Sequence, residues 1–138
     1  MLTAYLNDLQ STQKGAKIFS TTGDDFQIRE LFLSGIRKDI LDFARPYDVI
    51  AIDEAQSIPS IGLGTKMMID AFPEKTIILT GSSSFQLSRE LGEPLTGRHF
   101  TLTIFPIAQA EAKASRFELK GALPDFLIYG SYPEILLE

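Results

Sequence analysis

Asp48-Val49-Ile50-Ala51-Ile52-Asp53-Glu54 is the stretch that decides the fold class of this chain. Val49 to Ile52 are apolar with no polar alternate, the pattern of a central strand buried on both faces, and such strands belong to parallel sheets covered by helices. In a parallel sheet, ligands meet the carboxyl ends of the strands, so the two acids that follow stand where chemistry is done. One carboxylate can hold a hydrated divalent cation while the next orients or deprotonates a water. Asp53 takes the metal role in that reading and Glu54 the base role. The competing reading is that two acids merely end a strand, since apolar runs ending in acids are common.

Working outward, Thr76-Ile77-Ile78-Leu79 is a second buried strand that breaks into Thr80-Gly81-Ser82-Ser83-Ser84. Thr80, Ser82 and Ser83 offer hydroxyls to an attacking water or a terminal phosphate, or else they turn the chain and cap the next helix. Upstream, Lys17 to Ser20 reads as a short strand. Asp24 and Gln27 then form a capping box ahead of Ile28, Leu31 and Phe32, which share one helix face. A further helix starts near Ser34, carries Ile36, Ile40, Leu41 and Phe43, and stops at Pro46. Ser57 to Gly64 reads as a loop and Lys66 to Phe72 as a short helix. Beyond the second strand, Phe85 to Leu91 reads as helix and His99 to Phe105 as a strand with one wetter face. Ile107 to Leu119 and Phe126 to Leu137 read as further helical pieces. Strands alternating with helices give an α/β fold around a parallel sheet.

Composition narrows the function classes. A chain of 138 residues is one domain's worth of sequence and buries a full core. It has no cysteine and a single histidine, which removes disulfides, thiolate chemistry and histidine-rich metal sites. No apolar run approaches the roughly 18 residues of a membrane span, and the first residues lack a signal peptide's basic and apolar regions. The cytoplasm is the expected location, with no membrane partner. The formal charge of −5, with basic residues scattered, does not indicate nucleic acid as a partner.

Arg98 follows Gly97 in a polar loop, where it is either a charge-stabilising guanidinium or a plain surface charge. No segment matches Gly-x4-Gly-Lys-Ser/Thr, the loop whose backbone amides cradle phosphates. Gly64-Thr65-Lys66 inverts the order. Gly92 and Gly97 are correctly spaced, but Arg98 and His99 stand where Lys and Ser/Thr belong, and the segment precedes a strand instead of opening a helix. His99 is expected to pack or bond locally.

Five ordered pieces together carry a family resemblance: Asp48 to Pro59, Ile78 to Ser84, Pro94 to Arg98, Ile104-Phe105-Pro106 and Tyr129 to Glu134. In this combination the chain resembles the bacterial and archaeal AAA-type P-loop ATPases that carry an extra C-terminal domain, often likened to restriction-endonuclease folds. The resemblance implies a three-layer P-loop NTPase-like parallel sheet, here incomplete, with the first strand and the phosphate loop absent. Asp53 resembles the Mg²⁺ ligand and Glu54 the catalytic base of a Walker B strand. Thr80 to Ser83 resemble the sensor segment, and Arg98 the family's Gly-Arg arginine. Residues 1–119 would be a partial ATPase core, and 120–138 the start of the connection to a C-terminal domain.

By the same resemblance the chain is a fragment that is inactive alone, and its full-length parent would bind Mg²⁺ and ATP and hydrolyse ATP. No cofactor is expected bound to this chain. The family's strand order would leave two unpaired strand edges, expected to pair with each other as a four-stranded remnant or with a second chain as a homo-oligomer. Two other classes stay open. One is a non-catalytic α/β interaction or regulatory module; the other is a small metal-dependent phosphatase, which would need further carboxylates at other strand ends.

Overall fold

A computed structural model describes residues 2–82, 91, 95–105, 121, 124 and 128. Residues 1–100 and 101–138 form two compact units. The first unit opens with helix α1, Leu2–Thr12, followed by strand β1, Ile18–Thr22. Helices α2, Phe26–Ser34, and α3, Arg37–Ala44, lead to strand β2, Val49–Asp53. A 3₁₀ turn, Ala55–Ser57, and helix α4, Ile61–Ala71, lead to strand β3, Thr76–Leu79. The three strands form a parallel sheet in the order β1-β2-β3. Val49 stands opposite both Ile18 and Thr76, so Thr22 and Asp53 come level at one end of the sheet.

The apolar run that marked β2 as central is buried along its whole length, Val49 to Ile52 being at most 3% exposed. Its two faces feed two cores. Ile50 and Ile52 meet Ile28 and Phe32 of α2, Ile40 and Ala44 of α3, and Ile61 and Met68 of α4. Val49 and Ala51 meet Leu6 of α1, with Leu2, Leu9, Ile18 and Ile78 around them. The sheet is thus the middle of three layers, an α/β arrangement of the P-loop NTPase type. At about 1.5–3 kcal/mol for each fully buried large side chain, these contacts are the main favourable term holding the layers. Among the described residues, no helix is long and apolar enough to cross a membrane.

Local chemistry sets the element ends. Asp25 is the N-cap of α2 and accepts from the Gln27 and Ile28 amides at 2.9 and 3.3 Å. The expected cap, Asp24, is one residue early, because Asp25 is the residue with extended backbone immediately before the helix. Gly35, at φ 62°, ends α2 in the left-handed conformation that glycine adopts without steric cost. Helix α4 begins at Ile61, inside the segment expected to be loop. Gly62 and Gly64 weaken local helix propensity, but both are buried, and a side chain on Gly64 would collide with the Phe32 ring. Close packing of α4 on α2 therefore outweighs the propensity cost of about 1 kcal/mol per glycine.

One expected strand is corrected. His99 to Phe105 forms no strand and is exposed throughout. Alternation gives a segment a face to bury, but a strand needs a neighbour to pair with. The sheet has three strands among the described residues. The helices expected over 85–91, 107–119 and 126–137 lie almost wholly outside the described residues.

Candidate functional site

Three strand ends converge at the carboxyl edge of the sheet. The Gly23 amide, just after β1, donates to the Asp53 carbonyl at 2.6 Å. On the other side, the Thr80 amide donates to the Ile52 carbonyl at 3.0 Å, and the Ala55 amide to the Thr80 carbonyl at 2.9 Å. The Asp53-Glu54 peptide is therefore clamped from both flanks by backbone. A Cβ on Gly23 would run into the Glu54 carbonyl, so only glycine permits this approach.

Asp53 ends β2 exposed, and the Thr80 hydroxyl donates to its Oδ1. Glu54 follows at φ 50° and ψ 41°, a left-handed conformation uncommon for a residue with a side chain. Such backbone clusters at functional sites when the surroundings over-determine it, and here the two-sided clamp does so. The Glu54 carboxylate accepts the Ser82 hydroxyl at 2.9 Å and the Gln56 side-chain amide through Oε2. Gln56 also reaches Ser82 Oγ at 3.4 Å. Its own Oε1 is buried with no hydrogen-bond partner among the described residues.

The structure thus brings together Asp53, Glu54, Thr80 and Ser82. Ser83 lies outside the described residues. Arg98 is paired with Asp70 of α4, which accounts for its charge without either carboxylate of the strand end. His99 Nδ1 lies 2.9 Å from the Leu95 carbonyl, the local bond expected of it. Gln56 and Gly23 had no role in the sequence reading. Gln56 stood within the quoted motif two residues past Glu54, and that short spacing across a tight turn was the available signal.

A family model described as an AAA domain matches residues 1–113. This chain belongs to the AAA domain family, of AAA-type P-loop ATPases. No curated protein matches it.

Within the AAA domain, the donor set at the strand ends suits one half of the Mg²⁺-nucleotide pair that the family implies. Mg²⁺ keeps several waters and takes one or two carboxylates plus substrate phosphates, a demand that the exposed Asp53 carboxylate with a hydroxyl beside it fits. Among the described residues no group of three or more acids or histidines is gathered for a cation. For the phosphates the fit fails: the 138 residues hold no Gly-x4-Gly-Lys-Ser/Thr segment to present amides and a lysine.

Proposed function

We propose that this AAA domain carries the cation- and water-handling half of an ATP-hydrolysing site, with Asp53 in the Walker B position. The observation that supports it best is the pair of carboxylates at the end of the central strand, each held by a hydroxyl from the β3 side, Thr80 on Asp53 and Ser82 on Glu54. Bound Mg²⁺ would supply charge neutralisation at the phosphates, with Asp53 as its protein ligand. Glu54 would take a proton from water, and Ser82 and Gln56 aim its carboxylate. Thr80 and Ser82 would act as the sensor hydroxyls. Arg98 would join them only by leaving Asp70.

Without a Gly-x4-Gly-Lys-Ser/Thr segment in these residues, the 138-residue chain is expected to have little affinity for ATP and no turnover of its own. Titration calorimetry with Mg-ATP tests this: no saturable heat in the micromolar range is expected, and micromolar binding would overturn it. The catalytic assignment is tested by joining a strand and a Gly-x4-Gly-Lys-Thr loop ahead of Leu2. ATP turnover by that protein should fall at least about a hundredfold with Glu54→Gln, the usual scale for a lost general base, and similarly with Asp53→Ala. Turnover indifferent to both would sink the reading. A second reading, a non-catalytic interaction module, is favoured by the pairing of Arg98 with Asp70 instead of with the strand-end site; it predicts no ATP turnover even with the loop joined.

A further inference from the structure

Strand β3 is hydrogen-bonded to β2 on one side and to no strand among the described residues on the other. The opposite edge strand, β1, is diluted by Ser20, Thr21 and Thr22. β3 instead carries Ile77-Ile78-Leu79 in a row, without a charge or a proline. These are the devices with which proteins blunt an exposed edge, and β3 uses none of them. Its three apolar residues are also only half-buried, whereas those of β2 are buried completely.

A second feature has the complementary shape. His99-Phe100-Thr101-Leu102-Thr103-Ile104-Phe105 contains no acid, lysine or arginine and is rich in the aromatic and β-branched residues that favour strands. Phe100 is 100% exposed, Leu102 88%, Ile104 65% and Phe105 78%. Single exposed apolar residues are ordinary, but four within six positions are a concentration of exposed apolar side chains of the kind found where proteins bind partners.

We propose that residues 99–105 of one copy add as a strand to the β3 edge of a second copy, and that the exchange is reciprocal. Each copy owns both an edge and a matching segment, so a reciprocal exchange uses the same pair of surfaces on both copies, the pattern of a two-fold dimer. The added strand would satisfy the outward amides and carbonyls of β3, the mode of recognition by strand addition. Its Phe100, Leu102 and Ile104 share one face and would extend the apolar layer in which Ile77 and Leu79 lie. With aromatic side chains burying roughly 150–250 Å² each, one segment covers on the order of 500 Å². Two segments and the surface they cover then exceed the roughly 1,000 Å² a specific interface needs.

The test is sedimentation of the full chain over a wide concentration range, with Leu102→Lys/Ile104→Lys as the comparison. Both substituted side chains are exposed, so the unit containing the sheet should keep its circular dichroism. A dimer that the double variant loses is expected. A monomer at every concentration, or a dimer that the variant retains, would overturn the proposal. Because the chain has no cysteine, a short bismaleimide identifies the contact. Mixing a Thr76→Cys copy with a Thr103→Cys copy should give a cross-linked heterodimer, and its absence from a dimeric sample would place the interface elsewhere.

Discussion

Gly23 is the residue on which the geometry of the two acids turns. Its amide holds the Asp53 carbonyl, and its missing side chain admits the Glu54 carbonyl. Gly23→Ala forces a side-chain atom against backbone that cannot rotate away, and overpacking of this kind costs about 1–3 kcal/mol. Chemical denaturation should show that loss, and the Asp53 and Glu54 amide resonances should move more than those of α3. An unchanged midpoint would mean that the clamp yields freely. That the acids and hydroxyls meet at one edge of the sheet was legible in the sequence, because continuous apolar runs place the residues that follow them at the carboxyl ends of parallel strands. Gly23 and Gln56 were not, since their roles come from the alignment of β1 with β2 and from the turn after Glu54. Arg98 shows the same limit: a loop arginine advertises charge, and only the fold reveals that Asp70 takes it.

At the scale of elements, the cap of α2 makes a pH-dependent prediction. The Asp25 carboxyl is held below its ordinary value of 3.8, chiefly by the Ile28 amide, with the Thr21 hydroxyl and the Gln27 amide adding to it against some desolvation. A carboxyl lowered in the folded state stabilises the fold above its unfolded pKa, and the contribution is lost as pH falls through the lower, folded value. The difference in urea midpoint between the wild type and Asp25→Asn should therefore be constant near neutrality and shrink as pH drops below 3.8. A difference independent of pH would show that the charge does not matter to the cap. The Asp42 carboxyl is lowered too, by Lys38 first and Arg45 second, but this exposed ion-pair network is unchanged by the substitution and cancels in the comparison. Strands β2 and β3 were readable because continuous apolar runs have few other uses. Helix α4 was misread at its start because its glycines serve contact with Phe32, information that lies in another element. Residues 99–105 carry strand-like alternation yet form no strand.

For the whole molecule, the three-strand order makes protection from hydrogen exchange alternate along β3. β2 is bonded on both sides, to β1 and to β3, so every amide along it has a partner strand to face. β3 has one partner. The Thr76 and Thr80 amides donate to the Asp48 and Ile52 carbonyls, each at 3.0 Å. Successive amides of a strand point to opposite sides, so Ile78 also faces β2 while Ile77 and Leu79 face away from it. At a dilution where the chain is monomeric, Ile78 and Thr80 should exchange slowly. Ile77 and Leu79 should exchange roughly a hundredfold faster, as expected when protection comes from local bonding instead of global unfolding. Uniform protection along the four positions would require a partner on the outer edge of β3 within the monomer, and would replace the three-strand sheet with a wider one.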